Sequence, residues 1–286
     1  MSLLDLGIND SYQLTLRKKK GIMRLLTVTL SFVFISLTLS AQDSLKLHSI
    51  FQKLDSIEKI QRVEGSWLGL NVEELEDRNR KPQHPEKYHF QTIEEQKKIS
   101  DTKRFYLKQL KNLNKNTLST GQNINREIRI IQLENEFADF DYNMYMIPLN
   151  AEGGFYSAPT FFLNRLPFNT YEDYKGYLKW LPTYVDYMAY NQSLMKKGIE
   201  ENIQAPKVIV NNTINLLDPW TDYDKLEKNP FYSSFNNMPA SVSPDQAAEL
   251  QLKAREILTK TIVPSYETFK SFLQEEYLKS ANSFSS

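Results

Sequence analysis

The sequence predicts a mainly α, multi-helix globular domain with irregular connections, on three observations. Glycine is scarce, at 9 of 286 residues, too few for the turns of an all-β sandwich or of glycine-loop nucleotide folds. Apolar side chains recur at three- and four-residue spacing through most of the chain, the period of a half-buried helix. Two segments open with the polar residue and matching third-position partner of a capping box: Thr170 with Asp173, and Ser243-Pro244 with Gln246. Lys and Arg total 35 against 35 Asp and Glu, so no net field draws nucleic acid or anionic lipid. The absence of cysteine excludes disulfides, thiol nucleophiles, cysteine-ligated metals and a lipid-modified amino-terminal cysteine.

The first element is a leader. Arg17-Lys18-Lys19-Lys20 and Arg24 precede an uncharged apolar run from Leu25 to Leu39, and Ser40-Ala41-Gln42 ends it. Basic, apolar, then small is the order of a secretory signal peptide. The run falls short of the ~20 residues that span a bilayer comfortably. The predicted division is 1–41 as signal peptide with an amino-terminal extension, Met23 being an alternative start, and 42–286 as an exported helical domain, periplasmic or secreted. No membrane contact is expected once the leader is cleaved after Ala41.

Helices follow in order. Ser44 to Arg62 carries Leu45, Ile50, Leu54 and Ile57 near helical spacing, and 63–90 reads as irregular, with an exposed loop around Asp77-Arg78-Asn79-Arg80-Lys81-Pro82 and His84-Pro85. Thr92 to Asn114 is helical, its lysines, Lys103 among them, forming a solvated face because acids are interleaved. Ile124 to Ile147 shows a stripe of Ile130, Leu133, Phe137, Phe140 and Met144. Pro148 to Pro167 breaks the period and reads as an extended loop or short hairpin. After Thr170 comes a helix with Pro182 inside it, where a kink is expected. Gly198 marks a pause, and Pro206 opens a helix to Leu217. The helix after Ser243 turns Leu250, Ala254, Ile257 and Thr261 inward; Pro264 breaks or bends it, and Tyr266, Phe269, Leu273 and Tyr277 carry the pattern on.

Chemistry-bearing motifs are few. His48, His84 and His89 have no metal-ligand spacing and read as surface histidines. Phosphate-binding glycine loops and a Gly-x-Ser-x-Gly elbow are missing. Glu134, Glu136, Asp139 and Asp141 cluster on one predicted helix and Glu275-Glu276 on another; as paired carboxylates they would suit a glycosidase, but acids on an amphipathic helix mostly face solvent. Tyr142, Tyr145, Phe155, Tyr156, Phe161 and Phe162 would line a groove or fill a core, the core being the safer reading. No catalytic residue and no metal ligand is assigned. The substrate-proximal candidates are Gly153, Gly154, Phe155 and Tyr156, because glycine lets a backbone approach a ligand closely; the competing reading is that both glycines only serve a turn.

Several landmarks in order resemble a bacterial family known as domain of unknown function 885. They run from Pro148-Leu149 and Gly153-Gly154-Phe155 through Pro167-Phe168 and Tyr171-Glu172-Asp173-Tyr174 to Leu181-Pro182. Gly198-Ile199, Pro206-Lys207-Val208-Ile209-Val210, Pro264-Ser265-Tyr266 and Glu275-Glu276-Tyr277-Leu278 follow. The resemblance covers about residues 125 to 278. It implies the amino-terminal half of a helical zinc-metallopeptidase-like fold, in proteins about twice this length, whose zinc site is a His-Glu pair followed by Pro-Gly-His in the other half. No residue here matches that motif, so zinc is expected only in that half. The implied function is a peptidase-like, metal-dependent hydrolase acting on a peptide-like or other small substrate in its full-length form, with this chain inactive alone. A non-enzymatic periplasmic binding or interaction module is the alternative.

Overall fold

The computed structural model describes residues 3–64, 84–158, 160–163 and 166–281, and helix dominates it, as the sequence predicts. The first helix, α1, runs Leu3–Glu64, so the basic stretch, the apolar run and the expected 44–62 helix are one continuous element. Hydroxyls within the apolar run bond back one turn: Thr27 donates to the Met23 carbonyl at 2.7 Å and Thr29 to the Leu25 carbonyl at 2.5 Å, which shields polar groups in an apolar helix. Among the described residues no helix is long and apolar enough to cross a membrane. The loop expected at Asp77 to Pro82 lies outside the described residues. The chain divides into two compact units, Met1–Ser56 with Thr102–Glu134, and Ile57–Asp101 with Asn135–Ser286.

The first unit takes its buried apolar positions from three helices and one connection: Leu47, Ile50 and Leu54 of α1, Leu110 of α2 (Ile93–Asn112), Ile130 and Leu133 of α3 (Thr120–Asp141), and Leu113 and Leu118 between α2 and α3. α3 starts earlier than Ile124 because Ser119 and Gln122 form a reciprocal cap: the Ser119 amide donates to Gln122 Oε1 at 2.9 Å and the Gln122 amide to Ser119 Oγ at 3.3 Å. The end of α2 leaves carbonyls without intrahelical donors. Arg126 of α3 supplies them, donating from Nε to the Leu110 carbonyl at 2.6 Å and from its terminal nitrogen to Lys111 at 3.0 Å. Its guanidinium also meets Glu127 at 2.6 Å. Lys103, expected on a solvated face, is 2% exposed; charge interleaving gave no sign that its side chain turns inward. The α3 stripe holds through Phe137, but Phe140 is only half-buried and Met144 is exposed, because left-handed Asn143 ends the helical register (φ 54°).

Beyond the α3 carboxyl end the second unit carries a hairpin of two two-residue strands, β1 (Leu149–Asn150) and β2 (Gly153–Gly154), antiparallel with Leu149 opposite Gly154. The short α4 (Thr160–Leu163) follows. α5 (Tyr171–Trp180) starts at the predicted Thr170–Asp173 box, with the Thr170 amide donating to Asp173 Oδ2 at 2.9 Å. Pro182 interrupts the helix through a 3-10 turn at Leu181–Thr183 before α6 (Tyr184–Glu200), the kink expected of a residue with no amide hydrogen. Gly198 does more than mark a pause: a Cβ there would meet the Ile203 carbonyl at 2.5 Å, where left-handed Asn202 turns the chain back. α7 (Lys207–Leu216), α8 (Asp218–Thr221) and two 3-10 segments lead to the rod at the carboxyl end.

That rod comprises α9 (Pro244–Ile257), α10 (Val263–Phe272) and α11 (Leu278–Ser280), joined without a break by π turns at Leu258–Ile262 and Leu273–Tyr277. Pro264 was expected to break or bend it. Proline would leave the Lys260 carbonyl unpaired and clash with it, and the turn just before widens so that the Val263 amide reaches Leu258 instead. The wider turn also shifts the buried face: Leu250, Ala254, Leu258 and Ile262 are buried, while Ile257 and Thr261, predicted inward, are only half-buried. α9 packs on α5, and α10 on α6 and α8. The core between them is aromatic, with Tyr177, Trp180, Tyr184, Phe231, Tyr266 and Phe269 at 0–1% exposure; burying a side chain of this size contributes about 1.5–3 kcal/mol.

Candidate functional site

The substrate-proximal candidates sit on the hairpin, held from inside the second unit. The Asn150 side-chain oxygen accepts from the Glu152 amide at 2.9 Å and the Gly153 amide at 3.0 Å, the local bonding that makes asparagine a turn residue. β2 then lies so close to β1 that a Cβ on Gly154 would meet the Pro148 carbonyl at 2.6 Å. Glycine is required here by the neighbouring strand. The outward tip is Asn150, Ala151 and Glu152, all exposed, and Asn212 of α7 donates to the Ala151 carbonyl at 3.1 Å.

Phe155 and Tyr156 turn inward, at 4% and 1% exposure, and pack on Phe269 with ring centroids 4.9 and 6.1 Å away. Their carbonyls, which no strand partner satisfies, accept from two buried tyrosines. Tyr184 donates to Phe155 at 2.7 Å and Tyr266 to Tyr156 at 2.5 Å. Burial drives the hydroxyl pKa values of Tyr184 and Tyr266 well above the ordinary 10.0, so both remain neutral donors. The Tyr156 hydroxyl is also pushed up by burial, with the facing Thr213 hydroxyl pulling the other way. Neither of those two hydroxyls closes a hydrogen bond.

The other predicted candidates do not converge on one place. Glu134, Glu136, Asp139 and Asp141 are exposed, and Glu134 pairs with Lys111 at 2.5 Å. Glu275 and Glu276 line an open groove of about 490 Å³ with Lys196, Glu267, Ser271 and Phe272. Both are solvent-facing, so no apolar surrounding separates an acid from a base there. Tyr142 is exposed and Tyr145 half-buried, while the Phe161 and Phe162 side chains lie outside the described residues. His48 is exposed as expected, but His84 and His89 are half-buried. His84 donates to the Pro167 carbonyl at 2.7 Å and packs against Phe168 and Tyr177, a contact that a loop-like sequence did not announce. The described residues do not fit a zinc site, since no three His, Asp or Glu side chains among them come close enough together to hold an ion.

The model of a family described as bacterial protein of unknown function (DUF885) matches residues 80–285. The chain belongs to that family. The match begins at residue 80 rather than near Asn125, so it takes in α2 and the whole of α3 as well as the elements that follow them. No curated protein matches the chain. The DUF885 landmarks legible in the sequence now have physical roles. Gly154 admits β1, Leu181-Pro182 makes the kink, Gly198 admits Ile203, and Pro264 lies beside the π turn. Each is a backbone device, and none is a reacting group. Sequence reasoning missed Tyr184 and Tyr266 as supports of the hairpin; the only signal was the high tyrosine count, 16, which marks an aromatic core without naming which carbonyl each hydroxyl serves.

Proposed function

We propose that this chain is the helical, non-catalytic part of an exported peptidase-like hydrolase, forming one wall of its substrate cleft. The metal and the reacting groups would come from sequence outside these residues, and the exposed hairpin tip at Asn150 to Glu152, beside Gly153 and Gly154, would face the substrate. The observation that carries the reading is the family match over residues 80–285, joined to the resemblance between this family and helical zinc metallopeptidases. Two features support it. The hairpin is a backbone turn, exposed at its tip and held rigidly from behind by Tyr184 and Tyr266, which suits positioning of a ligand on a stiff support. The basic–apolar–small order of residues 17 to 42 supports export.

The test is an incubation of the chain from Gln42 onward with a mixture of unstructured peptides and zinc, read by mass spectrometry. No new cleavage products and no zinc retained after dialysis are expected. Zinc-dependent cleavage abolished by a chelator would place a catalytic centre in this chain and overturn the proposal. Export is tested by expressing the whole chain in a bacterial host: a periplasmic product starting at Gln42 is expected, and an uncleaved cytoplasmic product contradicts it.

A further inference from the structure

The segment from His84 to Thr92 has no helix or strand, yet hydrogen bonds at its start, middle and end fasten it to other parts of the second unit. His84 Nε2 donates to the Pro167 carbonyl at 2.7 Å, the Tyr88 amide to Thr183 Oγ1 at 2.7 Å, and the Ile93 amide to the Tyr190 hydroxyl at 2.6 Å. Tyr88 also packs against Trp180, Tyr184 and Tyr187. A carbonyl oxygen only accepts, so Nε2 holds the single ring proton and Nδ1 presents a bare lone pair. Nδ1 is buried and has no hydrogen-bond partner. Around the ring lie Phe168 at 5.4 Å and Tyr177 at 5.9 Å between centroids. Gly176 packs so closely that an added Cβ would reach His84 Cβ at 3.0 Å.

From α5, Asp173 acts on this ring, Tyr177 packs on it and Lys179 pairs with Glu86; its own segment carries Glu86, Lys87 and His89, and Leu166 to Asn169 carries no charged or titratable group. Asp173 accepts the Asn169 and Thr170 amides, each at 2.9 Å. The Tyr177 hydroxyl donates to Phe231 at 2.9 Å, and Glu86 lies 3.4 Å from Lys179. A proton added at Nδ1 would therefore put a charge and an unsatisfied N–H into an aromatic enclosure, a costly combination.

We propose that His84 is a pH-operated fastener: with Nδ1 bare the segment 84–92 stays docked on α5 and α6, and protonation of Nδ1 releases it. The inference is independent of the functional reading above. Burial holds the His84 pKa below its ordinary 6.5, against smaller opposing effects of the Pro167 carbonyl and Asp173. The docked form thus binds the proton less readily than the released form. Docking is at full strength above pH 6.5 and weakens as pH falls through and below that value.

The test is hydrogen exchange of the whole chain at pH 7.5 and pH 5.5, corrected for the intrinsic pH dependence of exchange and read on peptides covering 84–93. Protection there is expected to fall by up to about tenfold between the two pH values, the limit for one proton taken up on release, while peptides from α9 keep theirs. His84→Gln places an amide nitrogen where Nε2 stands and does not titrate, so it should retain protection at both pH values. Equal protection of the wild-type segment at both pH values, or the same loss in His84→Gln, would overturn the proposal. A carbon-13 NMR titration of the His84 ring in the unmodified chain gives a reading that needs no variant: a pKa at or above 6.5 also overturns it.

Discussion

Both units use side chains to serve backbone carbonyls at helix ends and irregular connections, with different chemistry. In the first, the carbonyls of Leu110 and Lys111 accept from one buried guanidinium, Arg126. In the second, the carbonyls of Phe155, Tyr156, Phe231 and Ser234 accept from the hydroxyls of Tyr184, Tyr266, Tyr177 and Tyr174. The cores differ accordingly, the buried apolar positions of the first being aliphatic and those of the second mixing aliphatic residues with many aromatic ones. A charged fork serves two neighbouring carbonyls of a regular helix end. Tyrosine hydroxyls, each at the tip of a rigid ring, reach carbonyls scattered over loops and a hairpin. The lesson is that irregular connections in the second unit are ordered by the helices beneath them, and the candidate site lies on one of those connections.

Breaking the two devices should cost different amounts. Arg126→Met is expected to have the largest effect, destabilising by about 3 kcal/mol because the carbonyls of Leu110 and Lys111, one buried and one half-buried, lose charged donors together. Urea unfolding followed by far-ultraviolet circular dichroism measures it, and a cost under about 1 kcal/mol would show that water reaches those carbonyls. Tyr184→Phe leaves one carbonyl unsatisfied and should cost about 1–3 kcal/mol. Tyr171→Phe removes a hydroxyl that meets Glu249 at an exposed site and should change stability by less than about 0.5 kcal/mol. Trp180 and Trp220 are buried in the second unit, so their fluorescence reports its unfolding.

Alkaline pH sharpens the contrast. Burial raises the hydroxyl pKa values of Tyr177, Tyr184 and Tyr266 well above 10.0. A raised folded-state pKa contributes stability that is complete below pH 10 and lost as pH climbs above it. Each such tyrosine should then remove about 1.4 kcal/mol per pH unit, and Tyr184→Phe should make the tryptophan-reported loss less steep. Two glycines should respond with opposite sign. An added Cβ at Gly121 in α3 meets nothing within 4 Å, so Gly121→Ala should stabilise by about 0.5–1 kcal/mol. Gly154→Ala drives a methyl against the Pro148 carbonyl and should destabilise instead; thermal melts of the pair decide the sign.

Periodicity and capping signals made the helices legible, because they are local. The Thr170 and Ser243 boxes were readable as strings, and both are present in the structure. What the sequence concealed depends on partners distant in the chain. Lys103 and His84 turn inward against a polar local pattern, and the π turn beside Pro264 shifts the buried face from Ile257 and Thr261 to Leu258 and Ile262. At the candidate site the hairpin was legible from Gly153-Gly154. Its supports were not, since Tyr266 lies 110 residues from the carbonyl it serves and no local pattern links them.

The central structural claim is that tyrosine hydroxyls hold the candidate hairpin in place from behind, and hydrogen exchange of the Tyr184→Phe, Tyr266→Phe double variant tests it most directly. Residues 149–157 are expected to lose protection while peptides from α9 keep theirs, with the helical circular dichroism unchanged. Undiminished protection of 149–157 in a folded double variant would contradict the claim and leave the hairpin ordered by its own turn and side-chain packing.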